Sequence, residues 1–487
     1  MKNVIEGLQP QLLWEHFYQL AQIPRCSKHE EKAREYVIAV AQRNNLPYKT
    51  DSVGNVVVNV PATPGKENAP VVVLQGHLDM VCEKNKDVEH DFSKDPIELQ
   101  RDGEWVTAKG TTLGADNGIG AAAMLAVMES KDLVHGPLEL LFTIDEETGL
   151  TGASGLDDTM LKGRILLNLD SEEDGVIYIG CAGGRDTEFF LQRTTQSPAE
   201  GSVALKILVT GLQGGHSGLN IHEGRANAIK LLTRLLWNMR QHVDFQLAEI
   251  DGGNKHNAIP RECDAIVFVP ANAVETVKQI AHQYETIYRQ EYQFVEKEIQ
   301  IQVSSAGFTI PETTFTSQLR DALLNMLYAM PHGVMAMSLA VPGLVETSTN
   351  LAVVKTDDKT VSVLTSQRSS VSTRLDEICE MVRAVGELVG AEIRQGNGYP
   401  AWQPNPDSRV LHIAKSVHQQ LFGEEPEVKA IHAGLETGII GAKFPGMDMI
   451  SFGPTILGAH SPDERVHIPA VEKFWKFLTA MLTKLAE

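Results

Sequence analysis

Several features are scarce in this chain, and each scarcity excludes something. No stretch reaches the roughly 18 uninterrupted apolar residues of a membrane span. The opening MKNVIEGLQPQLLWEHFYQL is amphipathic and lacks the apolar centre of a signal peptide. Positive charge is short: 43 Lys and Arg face 63 Asp and Glu, a formal charge of -20 that repels phosphate backbones and anionic lipid. Neither nucleic acid nor membrane is therefore expected as a partner. The five cysteines (Cys26, Cys82, Cys181, Cys263, Cys379) are scattered, odd in number and without a CxxC pair. They read as reduced thiols of a cytoplasmic protein, used as small packing residues.

What is present is a soluble, globular composition. A length of 487 residues exceeds one ordinary core, so two domains are expected. Up to residue 201, apolar strands (SVGNVVVNV, APVVVLQGHLDM, PLELLFTIDEE, RILLNLDSEE) alternate with helical patterns such as PQLLWEHFYQLAQI and LGADNGIGAAAMLAVMES. That alternation predicts an α/β domain with a mostly parallel central sheet, whose ligands gather at the carboxyl ends of the strands. Over residues 202–396 the pattern becomes two rounds of helix, two strands, helix and strand, read as an inserted α+β domain made of a doubled ferredoxin-like unit. Residues 397–487 return to α/β character and complete the first domain.

Five segments hold residues with metal chemistry. TIDEETG drives an apolar strand into three acids, with Glu146 and Glu147 adjacent. QGHLDM spaces His77 and Asp79 so that the carboxylate can orient the imidazole. TLGADNGIG sets Asp116 in a glycine-flanked turn, NLDSEE ends a strand in Asp170, and GAHSPDERV puts His460 in a Gly/Pro-bounded loop. Taken singly, each has a plain reading as a cap, a solvated acid pair or a loop histidine. Together they mix two imidazoles with carboxylates, a set that suits borderline divalent ions. One carboxylate left off the metal could move a proton in hydrolysis.

GHLDMV, GADNGIG, TIDEETG, NLDSEE and GAHSPDE resemble the motifs of the M20 di-zinc metallopeptidases, most of all those acting as Xaa-His dipeptidases. GGHSGLNIHEGRANA, HNAIPRE, VETSTN, GYPAWQP and IHAGLETG extend the resemblance over nearly the whole chain. It implies a zinc-peptidase α/β domain with the inserted domain as a lid, and two divalent ions, zinc first with cobalt or manganese as alternatives. His77 and Asp170 would hold one ion, Glu147 and His460 the other. Asp116 would bridge them, and Asp79 would orient His77. Glu146 would activate the metal-bridged water and then protonate the departing amine. A cis peptide at Asp116–Asn117 is also implied.

For substrate, the resemblance implies His216 in transition-state stabilisation. Asn257 would bind the substrate backbone, Arg368 its C-terminal carboxylate and Glu436 its free α- or β-amino group. Counter-charges for both ends of a short peptide favour a dipeptidase over an endopeptidase. The expected activity is hydrolysis of Xaa-His dipeptides, β-alanyl-histidine included. Alternatives are another amidohydrolase on the same scaffold (a deacylase or carboxypeptidase) and a non-catalytic metal-dependent binding protein. A homodimer is compatible with the sequence, but the large insert allows His216 to act within its own chain.

Overall fold

A computed structural model describes residues 4–487. It divides into two compact units. One contains the chain up to Cys181 with Trp402–Ala430 and Leu435–Glu487; the other contains Ala182–Ala401 and Ile431–Gly434.

The first unit is built on an eight-stranded sheet whose central neighbours are parallel: Leu138–Thr143, Val72–His77, Ile165–Asn168 and Asp448–Ser451. The flanking strands Tyr48–Thr50, Val56–Val60 and Val176–Cys181 run antiparallel. VVLQGH and LELLFT are buried along their whole length, as strands covered on both faces must be. The helix Ala115–Glu129 is buried on every side and packs on the strand Val72–His77 and the helix Gln11–Ala21. Gly120 lets the helix approach the end of the strand Ile165–Asn168, because a Cβ there would stand 2.5 Å from the Leu169 carbonyl oxygen. The last helix, Ile468–Leu485, places Val471, Phe474, Leu478, Met481, Leu482 and Leu485 on one buried stripe, with Pro469 in its first turn.

The second unit carries a nine-stranded antiparallel sheet. One half orders Gln300–Ser304, Ser202–Thr210, Cys263–Pro270 and Gln246–Gly252; the other orders Val345–Thr356, Thr360–Ser369, Gly183–Gln192 and Glu392–Gln395. Each half has the βαββαβ order of a ferredoxin-like unit. The strand Gly183–Gln192, expected in the first domain, instead supplies the opening strand of the second half by pairing with Thr360–Ser369. The change of fold therefore precedes residue 202. Its partner lies so far downstream that local pattern could not reveal it.

The cysteine expectation needs correction. Cys26 and Cys82 form a disulfide, while Cys181, Cys263 and Cys379 are free and buried. A β-bridge between Cys26 and Met80, with the Met80 N–H donating to the Arg25 carbonyl, lays the two segments side by side. No helix among the described residues is long and apolar enough to cross a membrane.

Candidate metal centre

The parallel strands finish together. His77 is level with Thr143, and Gln75 with Asn168, so the residues following each strand emerge at one edge of the sheet. After Thr143 the chain turns sharply, with Asp145 in the left-handed region at φ 48°. Its carboxylate is held by the Thr148 and Thr151 hydroxyls, and its N–H donates to Glu30 Oε1 at 3.0 Å. The turn starts the short helix Glu146–Gly149, which brings both glutamates to the strand ends.

Asp79 does more than face His77. It is fully buried and lies 3.3 Å from His77 Nδ1. It also accepts the N–H groups of Glu146 (3.0 Å) and Glu147 (3.2 Å), and the Ser27 hydroxyl (2.8 Å). Burial works against its charge, but His77 and these donors outweigh it and hold the pKa at about 2. One carboxylate thus places a histidine and an acid pair.

Around His77 the donors converge. Its Nε2 lies 3.1 Å from Asp116 Oδ1 and 3.3 Å from Asp170 Oδ1. His460 Nε2 lies 3.2 Å from Asp116 Oδ2 and 2.9 Å from Glu147 Oε2. The two oxygens of Asp116 therefore face different histidines. His77 with Asp116 and Asp170, and Asp116 with Glu147 and His460, each bring ligand atoms within 4.8 Å of one another. Glu147 Oε1 and Asp170 Oδ1 are buried without a hydrogen-bond partner. Buried carboxylate oxygens without a hydrogen bond among the described residues, set beside imidazoles, fit two divalent cations. The Asp116–Asn117 peptide is cis.

The charge balance agrees. Burial disfavours the His77 imidazolium, but Asp170, Asp116 and Asp79 outweigh it and raise the pKa well above the usual histidine range. Asp116 and Glu147 push His460 up to about 11. Burial lifts Asp170 to about 7 and Glu146 well above the ordinary carboxylate range. The Glu146 carboxylate belongs to a donor group with His77 and Glu147, yet makes no hydrogen bond or ion pair within the described residues.

Glu436 opens the helix Glu436–Lys443 and is 1% exposed. Its Oε2 accepts from Gln75 Nε2 and Thr143 Oγ1, each at 2.6 Å, and its Oε1 is buried without a partner. Burial raises its pKa to about 7. Neither Gln75 nor Thr143 stood out in the sequence, because both sit inside apolar strands 293 residues or more from Glu436 in the chain.

The other singled-out residues lie in the second unit. His216 Nδ1 accepts the N–H groups of Gly218 (3.1 Å) and Leu219 (3.0 Å), which puts the ring proton on Nε2. Burial, then the charge of Arg368, lowers its pKa to about 4, so the ring is neutral. Asn257 is half-buried, and its carbonyl accepts the Ser217 N–H at 2.8 Å. Arg368 is 6% exposed and donates to the Tyr399 hydroxyl at 2.9 Å; its Nε is buried without a partner, and no carboxylate pairs with it among the described residues. His432, missed in the sequence, bonds Ser348 Oγ at 2.7 Å.

Two further residues were not legible locally. Arg25 is 2% exposed and donates to the Leu78 and Asp79 carbonyls (2.9 Å each) and to the Gly114 carbonyl. Glu464, also 2% exposed, accepts backbone N–H groups from the turn that carries Asp116.

A sheet that collects imidazoles and carboxylates at the ends of its parallel strands defines the α/β domain of a metal-dependent hydrolase. The chain belongs to peptidase family M20/M25/M40, whose model matches residues 73–484. It is 43% identical over 481 residues to the cytosol non-specific dipeptidase of Escherichia coli K12, covering 99% of each chain. It matches the crystal structure of aminoacylhistidine dipeptidase from Vibrio alginolyticus with a TM-score of 0.90 and 44% identity, over 98% of this chain and 97% of that one. The aminopeptidase PepT of Bacillus cereus shares the fold at a TM-score of 0.58 and 14% identity, over 99% and 100% of the two chains.

Proposed function

We propose that this chain is a cytosolic two-metal dipeptidase that hydrolyses Xaa-His dipeptides, β-alanyl-histidine among them. The observation that carries the reading is Glu146, a carboxylate set among metal donors with no partner of its own. A protein that only stored or sensed metal would have no use for it.

His77 and Asp170 are assigned to one ion and Glu147 and His460 to the other, with Asp116 shared. When bound, the ions, zinc foremost, supply an acidified water and a polarised scissile carbonyl. Glu146 takes the proton from the attacking water and passes it to the departing amine. Burial holds its proton in the metal-free protein, and cations placed beside it shift that balance towards the base. Asp79 fixes the His77 ring and the backbone of Glu146 together, so base and ligand keep one geometry.

The remaining assignments follow from unmet bonds. His216 offers a neutral Nε2–H to the developing oxyanion. Arg368, a buried cation without an acid, binds the substrate's C-terminal carboxylate. Asn257 binds the substrate backbone, and the bare Oε1 of Glu436 takes the free amino group. A dipeptide panel assayed with and without a chelator tests this. Xaa-His dipeptides should be cleaved, end-blocked analogues resisted, and all activity lost with the metal. Equal cleavage of blocked or longer peptides would defeat it.

A further inference from the structure

The loop bearing His460 runs on to Glu464, whose carboxylate takes four consecutive backbone N–H groups. Oε2 accepts from Leu113 (2.7 Å) and Gly114 (2.9 Å); Oε1 accepts from Ala115 (2.7 Å) and Asp116 (3.2 Å). Gly114, at φ 70°, curls the four amides around a single point, the concave backbone arrangement that suits an anion. Arg25 holds the same turn from the opposite polarity, through the Gly114 carbonyl, and ties it to Leu78 and Asp79 beyond His77. The cation and the anion thus clamp carbonyls and amides of one segment.

This clamp has a chemical consequence. Asp116 must present one oxygen to each histidine, and its backbone N–H is one of the four on Glu464. His460 is 55% exposed at its side chain, at φ 64°, on a loop outside the sheet. His77, by contrast, ends a buried strand, and Asp170 lies two residues after another. The ion position that depends on His460 has no other anchor of comparable burial on its loop.

We propose that Glu464 is a positioning residue that couples the two ion positions: it fixes Asp116 and, through the same loop, His460, so the Glu147/His460 position depends on it more than the His77/Asp170 position does. This rests on the two-ion reading above. Glu464→Gln keeps the volume, but one end of the amide becomes an NH₂ facing two N–H donors.

The test is a cobalt(II) titration of the metal-free chain, followed by absorption, for wild type, Glu464→Gln and the control Glu472→Gln, a half-buried acid paired with Lys476 on the last helix. Wild type and Glu472→Gln should take two equivalents. Glu464→Gln should take the first with near wild-type affinity and the second 10- to 100-fold more weakly, the usual cost of losing support behind a ligand. Glu464→Asp, which keeps the charge but reaches fewer amides, should recover part of the loss. Unchanged affinity for both equivalents, or equal weakening of both, would overturn the proposal. A wild-type chain that binds fewer than two ions would fail the two-ion reading itself, before any variant is compared. Should both Glu464 variants fail to fold, amide exchange of wild type decides. The amides of residues 113–116 should be protected without metal, and free exchange there until metal is added would refute the clamp.

Discussion

Glu146→Gln separates proton transfer from metal binding more sharply than any other single change. The Glu146 carboxylate makes no bond within the described residues, and its backbone N–H stays on Asp79 Oδ1 at 3.0 Å whatever the side chain. The substitution keeps the volume and removes no hydrogen bond or ion pair among the described residues. Metal affinity should therefore change by well under the tenfold that marks lost support behind a ligand. Activity should not be spared. A positioned acid–base group contributes about 10²- to 10⁴-fold, so kcat should fall by that factor, about 2.7–5.4 kcal/mol of barrier. The metal-free protein adds an independent sign. Burial raises the folded-state pKa of Glu146 well above 4.5, so folding favours its neutral form. That contribution is fully present below the unfolded pKa and is lost as pH rises through the folded value. Metal-free Glu146→Gln should thus match wild type in acid and become the more stable of the two as pH rises above about 4.5. The assays are steady-state hydrolysis of β-alanyl-histidine, metal content by emission spectroscopy and urea unfolding of the metal-free chains across pH. A kcat within tenfold of wild type, with metal retained, would refute the assignment.

Other consequences can be checked alongside. Asp116 and Glu147 lift His460 to about 11, and acidic neighbours raise His77, so both imidazoles carry protons in the metal-free chain at neutral pH. Loading should release at least the two imidazole protons, with Asp170 and Glu146 adding to them, and affinity should climb with pH; calorimetry in buffers of different ionisation enthalpy reads this, and no proton release would contradict it. Arg368→Lys removes a planar two-pronged donor and should lower kcat/KM about 10- to 100-fold, mainly through KM. The penalty should vanish for a dipeptide with an amidated C-terminus; an equal penalty there would reject the carboxylate assignment. The Cys26–Cys82 disulfide spans a sequence separation of 56. By loop entropy, reduction should cost its unit up to about 4 kcal/mol, read as a lower unfolding midpoint with dithiothreitol. An unchanged midpoint would show that the link does not stabilise the fold.

The sequence carried much of the fold because its strands are mostly apolar runs: VVLQGH and LELLFT are buried along their whole length. Their parallel register is also why acids that follow separate strands fall together at one edge of the sheet. What stayed hidden depends on distant pairing. Gly183–Gln192 reads as any strand until Thr360–Ser369 is placed beside it. Cys26 and Cys82 meet only because Arg25–Cys26 is laid against Met80. Glu464 resembled one more charge in SPDER, since its four amide partners lie some 350 residues earlier. Glu436 was visible as an acid in IHAGLETG, but nothing local announced its burial or its bonds to Gln75 and Thr143.

The central claim is that two ions share Asp116 while Glu146 moves the proton. Its most direct test is to add zinc stepwise to the metal-free chain while following β-alanyl-histidine hydrolysis. Activity should stay low through the first equivalent and reach its plateau at the second. Full activity at one equivalent, or hydrolysis without metal, would contradict the account.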